Sequence, residues 1–426
     1  MRRRLLVVGV VLLGLFAGGC GGSGGGHAAK GATLVIANFN PFSGGDADFG
    51  PEMVGGCVPA VKLINEAGGV LGHRFRCEAV DTRGDPADAV PAATKMLATT
   101  SNLVGVLGPS ADEAQATVPV IDNAKVPMFA DTGEAAFDKS KYAYFYRLTP
   151  ADDVKGLALA QWAHDRGYTR AAAVFGSDIG AQSDVPSLVT AFQKLGGTIV
   201  NNQKIALDQS SYRTEVVHML AAKPQVIFTE ADPQTDATFL SELKQLHGLL
   251  PVIGTETTLQ AGWLKAVSGA VGDSDFAKYV VGMQPYAPTS GQAWQTFDKA
   301  LLASGKSVPK PAQWAPDPYS MTYYDAVNLI ALSMLAAKTT TSADFVPQIV
   351  KLTQAGPGAQ TVYSFAQGKQ ALAAGKTIRY VGAGGPIAFD RWHNSSGAYE
   401  AARYSGGKVQ IVGTVTAAQI AQLAAH

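Results

Sequence analysis

The chain of 426 residues is long enough for two or three domains, and 47% of its residues are hydrophobic against 16% charged. Its 34 basic and 34 acidic residues balance, and it has no Lys/Arg tract of the kind that marks nucleic-acid-binding proteins. The seven histidines show no HExxH or similar paired spacing. The sequence therefore predicts no metal site, and no motif in it indicates a cofactor.

The N-terminus has the layout of an export signal. Arg2, Arg3 and Arg4 precede an apolar stretch over residues 5–16, which is shorter than the about 20 residues that a membrane-spanning helix needs. We expect a signal peptide over residues 1–19, so that the mature chain is exported.

The signal peptide ends in a short motif around a cysteine. Ala17-Gly18-Gly19-Cys20 resembles the lipobox of bacterial lipoproteins, with Ala17 where leucine is usual. This resemblance implies a lipid anchor on Cys20, followed by a flexible Gly/Ser-rich linker over residues 20–32. The alternative is a plain secretory signal in which Cys20 is incidental.

The first part of the mature chain alternates apolar runs of strand length with helical patterns. Such alternation is typical of a parallel sheet covered by helices on both faces. The predicted strands cover residues 33–39, 74–81, 103–108 and 126–131.

A second series of strands and helices follows Thr149-Pro150, a pair that marks the start of a helix. Open α/β sheets bind ligands at the carboxyl ends of their strands, so two facing sheets would form a binding cleft. The predicted strands cover residues 171–176, 198–205, 225–231, 251–256 and 279–286.

Cys57 and Cys77 are the two cysteines that remain once Cys20 is assigned to the lipid. Disulfides are allowed in exported proteins, and a bridge here would tie the first helix to the second strand. We expect this disulfide; two buried thiols are the alternative.

Seven segments, taken in order, resemble the periplasmic branched-chain amino-acid-binding proteins, which are the type I solute-binding proteins of ABC importers. The resemblance extends from about Thr33 to Val415. The segments are GGDADFG, AVKLINEAGGVLGHRF, VDTRGDPADAV, VGVLGPSA, YFYRLTP, YYDAVNLIALSM and GPIAFD.

The resemblance implies an α/β fold of two Rossmann-like lobes, each a mostly parallel sheet flanked by helices, joined by a hinge of three crossings. The crossings are expected near residues 146–149, 282–286 and 386–393. The first lobe would then comprise residues 33–148 and 284–390, and the second residues 149–283 and 391–426.

The function implied by this resemblance is capture of a small solute between the lobes and its delivery to the permease of an ABC importer. We expect a monomer, lipid-anchored to the outer face of the cytoplasmic membrane, that catalyses no reaction. A receptor subunit that feeds a signalling partner is the alternative. A secreted hydrolase is a remote one, because Ser110 does not lie in a GxSxG motif.

The resemblance also implies ligand-binding residues at the strand ends. Ser110 would bind a ligand carboxylate at a helix N-terminus, although it also begins a Ser-x-x-Glu capping box. Thr132 and Glu134 would meet the head group of the ligand, and Glu256 its ammonium group. Phe49 would cover the ligand. For each acidic residue the alternative is a solvated position in a turn or loop.

Several positions depart from the family pattern, and these departures bear on the ligand. Ser177 stands where tyrosine is more usual, and Glu230 lies near a position where an aromatic residue is expected. If several acids face the cleft, a cationic or amide-bearing solute would offset their charge better than leucine, isoleucine or valine, the family default. The acids concerned are Asp131, Glu134, Glu230, Asp232 and Glu256.

Overall fold

The computed structural model describes residues 28–425 apart from residues 48, 355 and 396. The predicted signal peptide and Cys20 lie outside the described residues. Within the described part of the chain, no helix is both long and apolar enough to cross a membrane.

The N-terminal part forms a five-stranded parallel sheet in the order β2-β1-β3-β4-β5. β1 is buried along its whole length, as a strand covered on both faces by helices requires. The strands are β1 (Leu34–Asn40), β2 (Phe75–Asp81), β3 (Leu103–Ser110), β4 (Met128–Asp131) and β5 (Phe145–Arg147). The helices are α1 (Phe49–Glu66), α2 (Pro86–Thr99) and α3 (Ala111–Asn123).

The middle of the chain builds most of a second sheet. Its strands are β6 (Arg170–Gly176), β7 (Thr198–Ile205), β8 (Val226–Glu230), β9 (Val252–Gly254) and β10 (Val280–Pro285). Its helices are α4 (Asp152–His164), α5 (Ile179–Lys194), α6 (Arg213–Ala221), α7 (Pro233–Leu246), α8 (Ala261–Val271) and α9 (Asp273–Tyr279).

The chain then returns to the first sheet and adds helices and a small sheet to it. The helices are α10 (Gln292–Leu302), α11 (Pro311–Trp314), α12 (Pro318–Ala337), α13 (Ser342–Thr353) and α14 (Phe365–Ala373). The small sheet comprises β11 (Gln360–Val362), β12 (Ile378–Gly382) and β13 (Gly385–Pro386).

The C-terminal part completes the second sheet with β14 (Tyr399–Ser405) and β15 (Lys408–Val415), followed by α15 (Ala417–Ala425). β14 pairs antiparallel with β10, and β15 pairs antiparallel with β14. The order is β15-β14-β10-β9-β8-β6-β7. We call the two halves the five-stranded lobe (β1–β5, α1–α3, α10–α14, β11–β13) and the seven-stranded lobe (the other elements).

Helix α12 forms the centre of the five-stranded lobe, because it is buried on almost all of its faces and packs on α1. The two helices approach closely at Gly56, where a Cβ atom would lie 2.4 Å from the carbonyl oxygen of Ser320. The Ser320 hydroxyl donates a 2.7 Å hydrogen bond to the carbonyl oxygen of Glu52 on α1. The predicted architecture of two α/β lobes is thus confirmed.

Cys57 on α1 and Cys77 on β2 form a disulfide in the structure, with their Cα atoms 6.2 Å apart. The bridge ties the first helix to the edge strand of the five-stranded sheet, the arrangement expected from the sequence.

The chain passes between the lobes three times, after β5, after β10 and after β13. Gln284 and Pro285, within the second expected crossing, pair with β14 in the seven-stranded sheet. Asn394, expected in the second lobe, forms a bridge with Arg147 at the end of β5. The exact division of the chain between the lobes stays a prediction.

Candidate functional site

A cavity of about 570 Å³ lies between the two lobes. Its walls are formed by the loops and helix starts that follow the parallel strands, because the carboxyl ends of both sheets face it. Apolar contacts are available from Phe49, Leu207, Trp263, Tyr319 and Tyr399.

The described residues that line the cavity are strongly acidic. They include two cationic side chains, Arg83 and Lys155, and ten carboxylic acids. From the five-stranded lobe come Asp46, Asp85, Asp112 and Asp131; from the seven-stranded lobe come Asp152, Asp178, Asp208, Glu230, Asp232 and Glu256.

Lys155 lies on the first turns of α4 and is almost completely buried. Its Nζ atom is 2.8 Å from Glu256, 3.2 Å from Asp152, 3.3 Å from Asp184 and 4.0 Å from Glu230. These carboxylates outweigh the cost of burial and raise the pKa of Lys155 well above its usual value, so the side chain is an ammonium ion.

Arg83, the other cation, belongs to the loop after β2. Its Nε atom lies 3.1 Å from Asp88, and both side chains are more than half exposed. Neither cation that lines the cavity is therefore without a carboxylate partner.

Asp46 and Asp131 are at least partly buried, and no described residue donates a hydrogen bond to either carboxyl group; Asp208 also has no described donor, but it is exposed. Burial, assisted by neighbouring carboxylates, raises the pKa of Asp46 to about 7 and that of Asp131 to about 8. Near neutral pH these two groups exchange protons readily and can respond to a positive charge in the cavity.

Ser110 lies at the cavity and at the start of α3, as both predictions for it require. Its hydroxyl donates a 2.8 Å hydrogen bond to Oε1 of Glu113, and its backbone N–H donates to the same atom at 3.3 Å. Burial raises the pKa of Glu113 to about 7. Ser110 therefore contributes to the helix cap, and its role toward a ligand stays a prediction.

Four of the seven predicted ligand-binding residues line the cavity: Phe49, Ser110, Glu230 and Glu256. Asp131 and Asp232, two further acids expected to face the cleft, line it as well. The family resemblance led us to expect that Glu256 binds the ammonium group of a ligand. In the structure the ammonium group beside Glu256 is that of Lys155.

Thr132, Glu134 and Ser177 are not among the described residues that line the cavity, and contact between them and a ligand stays a prediction. Thr132 is 1% exposed, and its hydroxyl donates to Oε1 of Glu134 at 3.2 Å. Glu134 also accepts a hydrogen bond from Gln115 on α3, so both side chains turn into the five-stranded lobe.

Sequence reasoning did not identify Lys155, Asp46 or Asp112 as site residues. Asp46 lies within the segment GGDADFG, and Lys155 follows two aspartates at a helix start after the first crossing. A basic residue on the first turns of a helix, where the helix dipole favours acids, was the available signal for Lys155.

The lobes touch each other on both sides of the cavity. The backbone N–H of Gly180 donates a 3.1 Å hydrogen bond to Asp112, and the Gln260 amide donates a 3.0 Å hydrogen bond to Glu52. Each pair joins one residue from each lobe, so the lobes are in contact beside the cavity. Among residues 28–425, gaps aside, no group of His, Cys, Asp or Glu side chains is arranged to hold a metal ion.

Comparison with known proteins identifies the fold and the family. Residues 33–408 match the family model described as periplasmic binding protein. A leucine-binding protein from Thermotoga maritima superposes with a TM-score of 0.71 at 16% identity, covering 91% of this chain and 99% of that one. A branched-chain amino acid ABC transporter protein from Thermus thermophilus, solved with valine, gives a TM-score of 0.72 at 15% identity, covering 94% and 100%.

Two further relatives widen the comparison. A solute-binding protein of an ABC transporter from R. palustris, solved with benzoate, has a TM-score of 0.68 at 18% identity and covers 90% of this chain and 96% of its own. The Leu/Ile/Val-binding protein BraC3 of Rhizobium johnstonii is 35% identical over 66 residues, 16% of this chain and 18% of that protein's length. The matched family model extends over most of the chain, which therefore belongs to the periplasmic binding protein family.

Proposed function

We propose that this chain is the extracytoplasmic solute-binding protein of an ABC importer and that its ligand is a small solute carrying one or more cationic amino groups. The observation that carries the proposal is the charge of the cavity, which is lined by ten carboxylic acids and two cations. A ligand ammonium group offsets buried carboxylates by charge-assisted hydrogen bonds, about twice as strong as neutral ones.

The paired state of both cations argues against a ligand whose main feature is a carboxylate. Such a ligand would have to compete with Asp88 for Arg83, or with the carboxylates around Lys155. Asp46 and Asp131, by contrast, have no described hydrogen-bond donor. The aromatic side chains of the cavity would contact the hydrocarbon part of an amine.

An α-amino acid is the second candidate ligand, because Ser110 and the N-terminus of α3 line the cavity and helix starts bind carboxylates. It also fits the chain's relatives, which include proteins solved with valine and isoleucine.

A thermal-shift panel distinguishes the two ligand classes. We expect putrescine, cadaverine or phenethylamine to raise the Tm, whereas L-leucine and benzoate have little effect. At 100 times its Kd a ligand adds about 2.7 kcal/mol to the free energy of unfolding. A response to L-leucine or benzoate alone would contradict the cationic assignment.

Replacing Asp131 tests the site itself. We expect Asp131→Asn to weaken binding of the best amine about tenfold, since it removes one charge-assisted hydrogen bond. Isothermal calorimetry gives the change in Kd. Asp344→Asn is the matched control, because Asp344 is an exposed aspartate of the same lobe that does not line the cavity and whose carboxyl group has no described hydrogen bond or ion pair. Equal Kd values for the two variants would remove Asp131 from the site.

We further propose that the protein is a monomer anchored to the outer face of the cytoplasmic membrane through a lipid on Cys20, and that the Cys57–Cys77 bridge is oxidised in that compartment. Stable anchoring requires more than one acyl chain or a second signal. Cys20→Ser is expected to move the protein from the membrane fraction to the soluble fraction. Retention of the variant in the membrane would place the anchor elsewhere.

A role in transport, as opposed to sensing, is supported by the ABC transporter proteins among the similar structures. Uptake of the labelled ligand should be lost when either this protein or its permease is deleted. Uptake that continues without this protein would favour the receptor alternative.

A further inference from the structure

The ammonium group of Lys155 occupies a compact site built from four elements of one lobe. Its carboxylate neighbours are Asp152 on α4, Asp184 on α5, Glu230 at the end of β8 and Glu256 just after β9. All four belong to the seven-stranded lobe, and Asp152 also contacts the other lobe, because its backbone N–H donates a 2.7 Å hydrogen bond to the carbonyl oxygen of Gly133.

Lys155 is surrounded by carboxylates. A lysine ammonium has three N–H donors, and three carboxylates lie within 3.3 Å of Nζ. The Lys155 side chain is 8% exposed and that of Asp184 is 0% exposed. Lys155, Asp152, Glu230 and Glu256 nevertheless line the cavity, so this site opens onto the space where the ligand is proposed to bind.

We propose that Lys155 is an internal substitute for a ligand ammonium group and thereby determines which amines the protein accepts. Lys155 occupies the position beside Glu256 where an ammonium group binds. The cationic group of a ligand therefore pairs with Asp46 and Asp131 of the other lobe. The inference rests on the proposed function only in taking this cavity as the ligand site.

The experiment removes the ammonium group of Lys155 by mutation and supplies a small amine in solution in its place. Lys155→Ala removes the ammonium group and three methylene groups; n-butylammonium supplies the same N–H donors on an alkyl chain one carbon longer than the fragment removed, and the site opens onto the cavity. We expect calorimetry to find one more n-butylammonium bound per Lys155→Ala molecule than per wild-type molecule. We also expect the Tm of the variant to rise about 3 °C more than that of the wild type at ten times Kd.

Two controls define the specificity of this rescue. Tetramethylammonium, which has no N–H donor, should not replace n-butylammonium at the same ionic strength. Lys194→Ala removes an exposed lysine of α5 in the same lobe, with no described side-chain partner, and should behave as wild type. Binding of amines to the wild type tests the proposed function, whereas only the difference between variant and wild type tests the role of Lys155.

A second variant covers the case in which the alanine variant does not fold. Lys155→Met keeps the length of the side chain without its charge, and should be less destabilised at pH 5.5 than at pH 8 because the carboxyl groups can take up protons. The other titratable groups near this position are Tyr399 on β14, Tyr319 on α12 and Asp131 on β4. The two tyrosines stay neutral in this range, since burial raises the pKa of each well above its usual value.

The outcomes are as follows. Selective rescue by n-butylammonium, or recovery of Lys155→Met at acid pH, supports the role of Lys155 as a substitute cation. If n-butylammonium and tetramethylammonium act alike and the loss of Tm in Lys155→Met is the same at both pH values, Lys155 is a packing residue and the proposal is overturned.

Discussion

Binding of a cationic solute is expected to tighten as the pH rises from about 6 to about 8, by about 10-fold if only Asp46 must lose its proton and by about 500-fold if both Asp46 and Asp131 must. The pKa of Asp46 is raised to about 7 and that of Asp131 to about 8, so both carboxyl groups are largely protonated at pH 6. Each must lose its proton to pair with an ammonium group, and this cost falls as the pH rises. A primary amine with an ordinary pKa near 10 keeps its charge throughout this range.

Calorimetry at pH 6, 7 and 8, in buffers with different enthalpies of ionisation, measures both the Kd and the number of protons released. We expect net proton release at pH 7, and a smaller pH dependence in Asp131→Asn. Asp344→Asn should follow the wild type. A Kd that stays constant, or that rises between pH 6 and pH 8, would show that neither carboxyl group faces the ligand charge.

Arg147→Ala is expected to lower the free energy of unfolding by about 3–5 kcal/mol, because it leaves buried acceptors without their donor. Arg147 is 1% exposed at the end of β5. Its Nη2 atom lies 2.6 Å from Asp138, and its Nε atom donates a 3.0 Å hydrogen bond to Asn394. Its Nη1 atom donates to the carbonyl oxygens of Glu134 and Thr132 at 3.2 and 3.4 Å.

Denaturant unfolding measures this loss, with Arg74→Ala as the control. Arg74 is exposed in the same lobe without a described side-chain partner, so its removal should change the free energy by less than about 0.5 kcal/mol. The bond from Arg147 to Asn394 joins the first crossing to the third, and we therefore also expect weaker ligand binding in Arg147→Ala. Equal unfolding free energies for the two variants would contradict the assignment of Arg147 as a structural link between crossings.

The sequence predicted the architecture because apolar runs of strand length, such as residues 33–39, alternate with helical patterns, as in a parallel sheet covered on both faces, and because its motifs resemble a known family. The sequence also predicted the general position of the site, because polar residues follow the carboxyl ends of such strands. It could not show which of two neighbouring residues faces the cavity. Asp131 and Thr132 illustrate this, because successive side chains along extended backbone point to opposite sides and only Asp131 lines the cavity.

Lys155 could not be assigned from the sequence for a different reason. Only Asp152 is its neighbour along the helix, whereas Asp184, Glu230 and Glu256 come from three other elements. Its pairing depends on how α4 packs against α5 and on where β8 and β9 end. The sequence shows that Glu256 is acidic, but only the tertiary structure shows that Lys155 is its partner.

The location of the Lys155 carboxylates in a single lobe has a consequence for repeated binding of a solute. The ion pairs of Lys155 join residues of one lobe, so they need not be made again each time the protein takes up and releases a solute. The solute therefore has to neutralise only the negative charge on the five-stranded lobe, at Asp46 and Asp131.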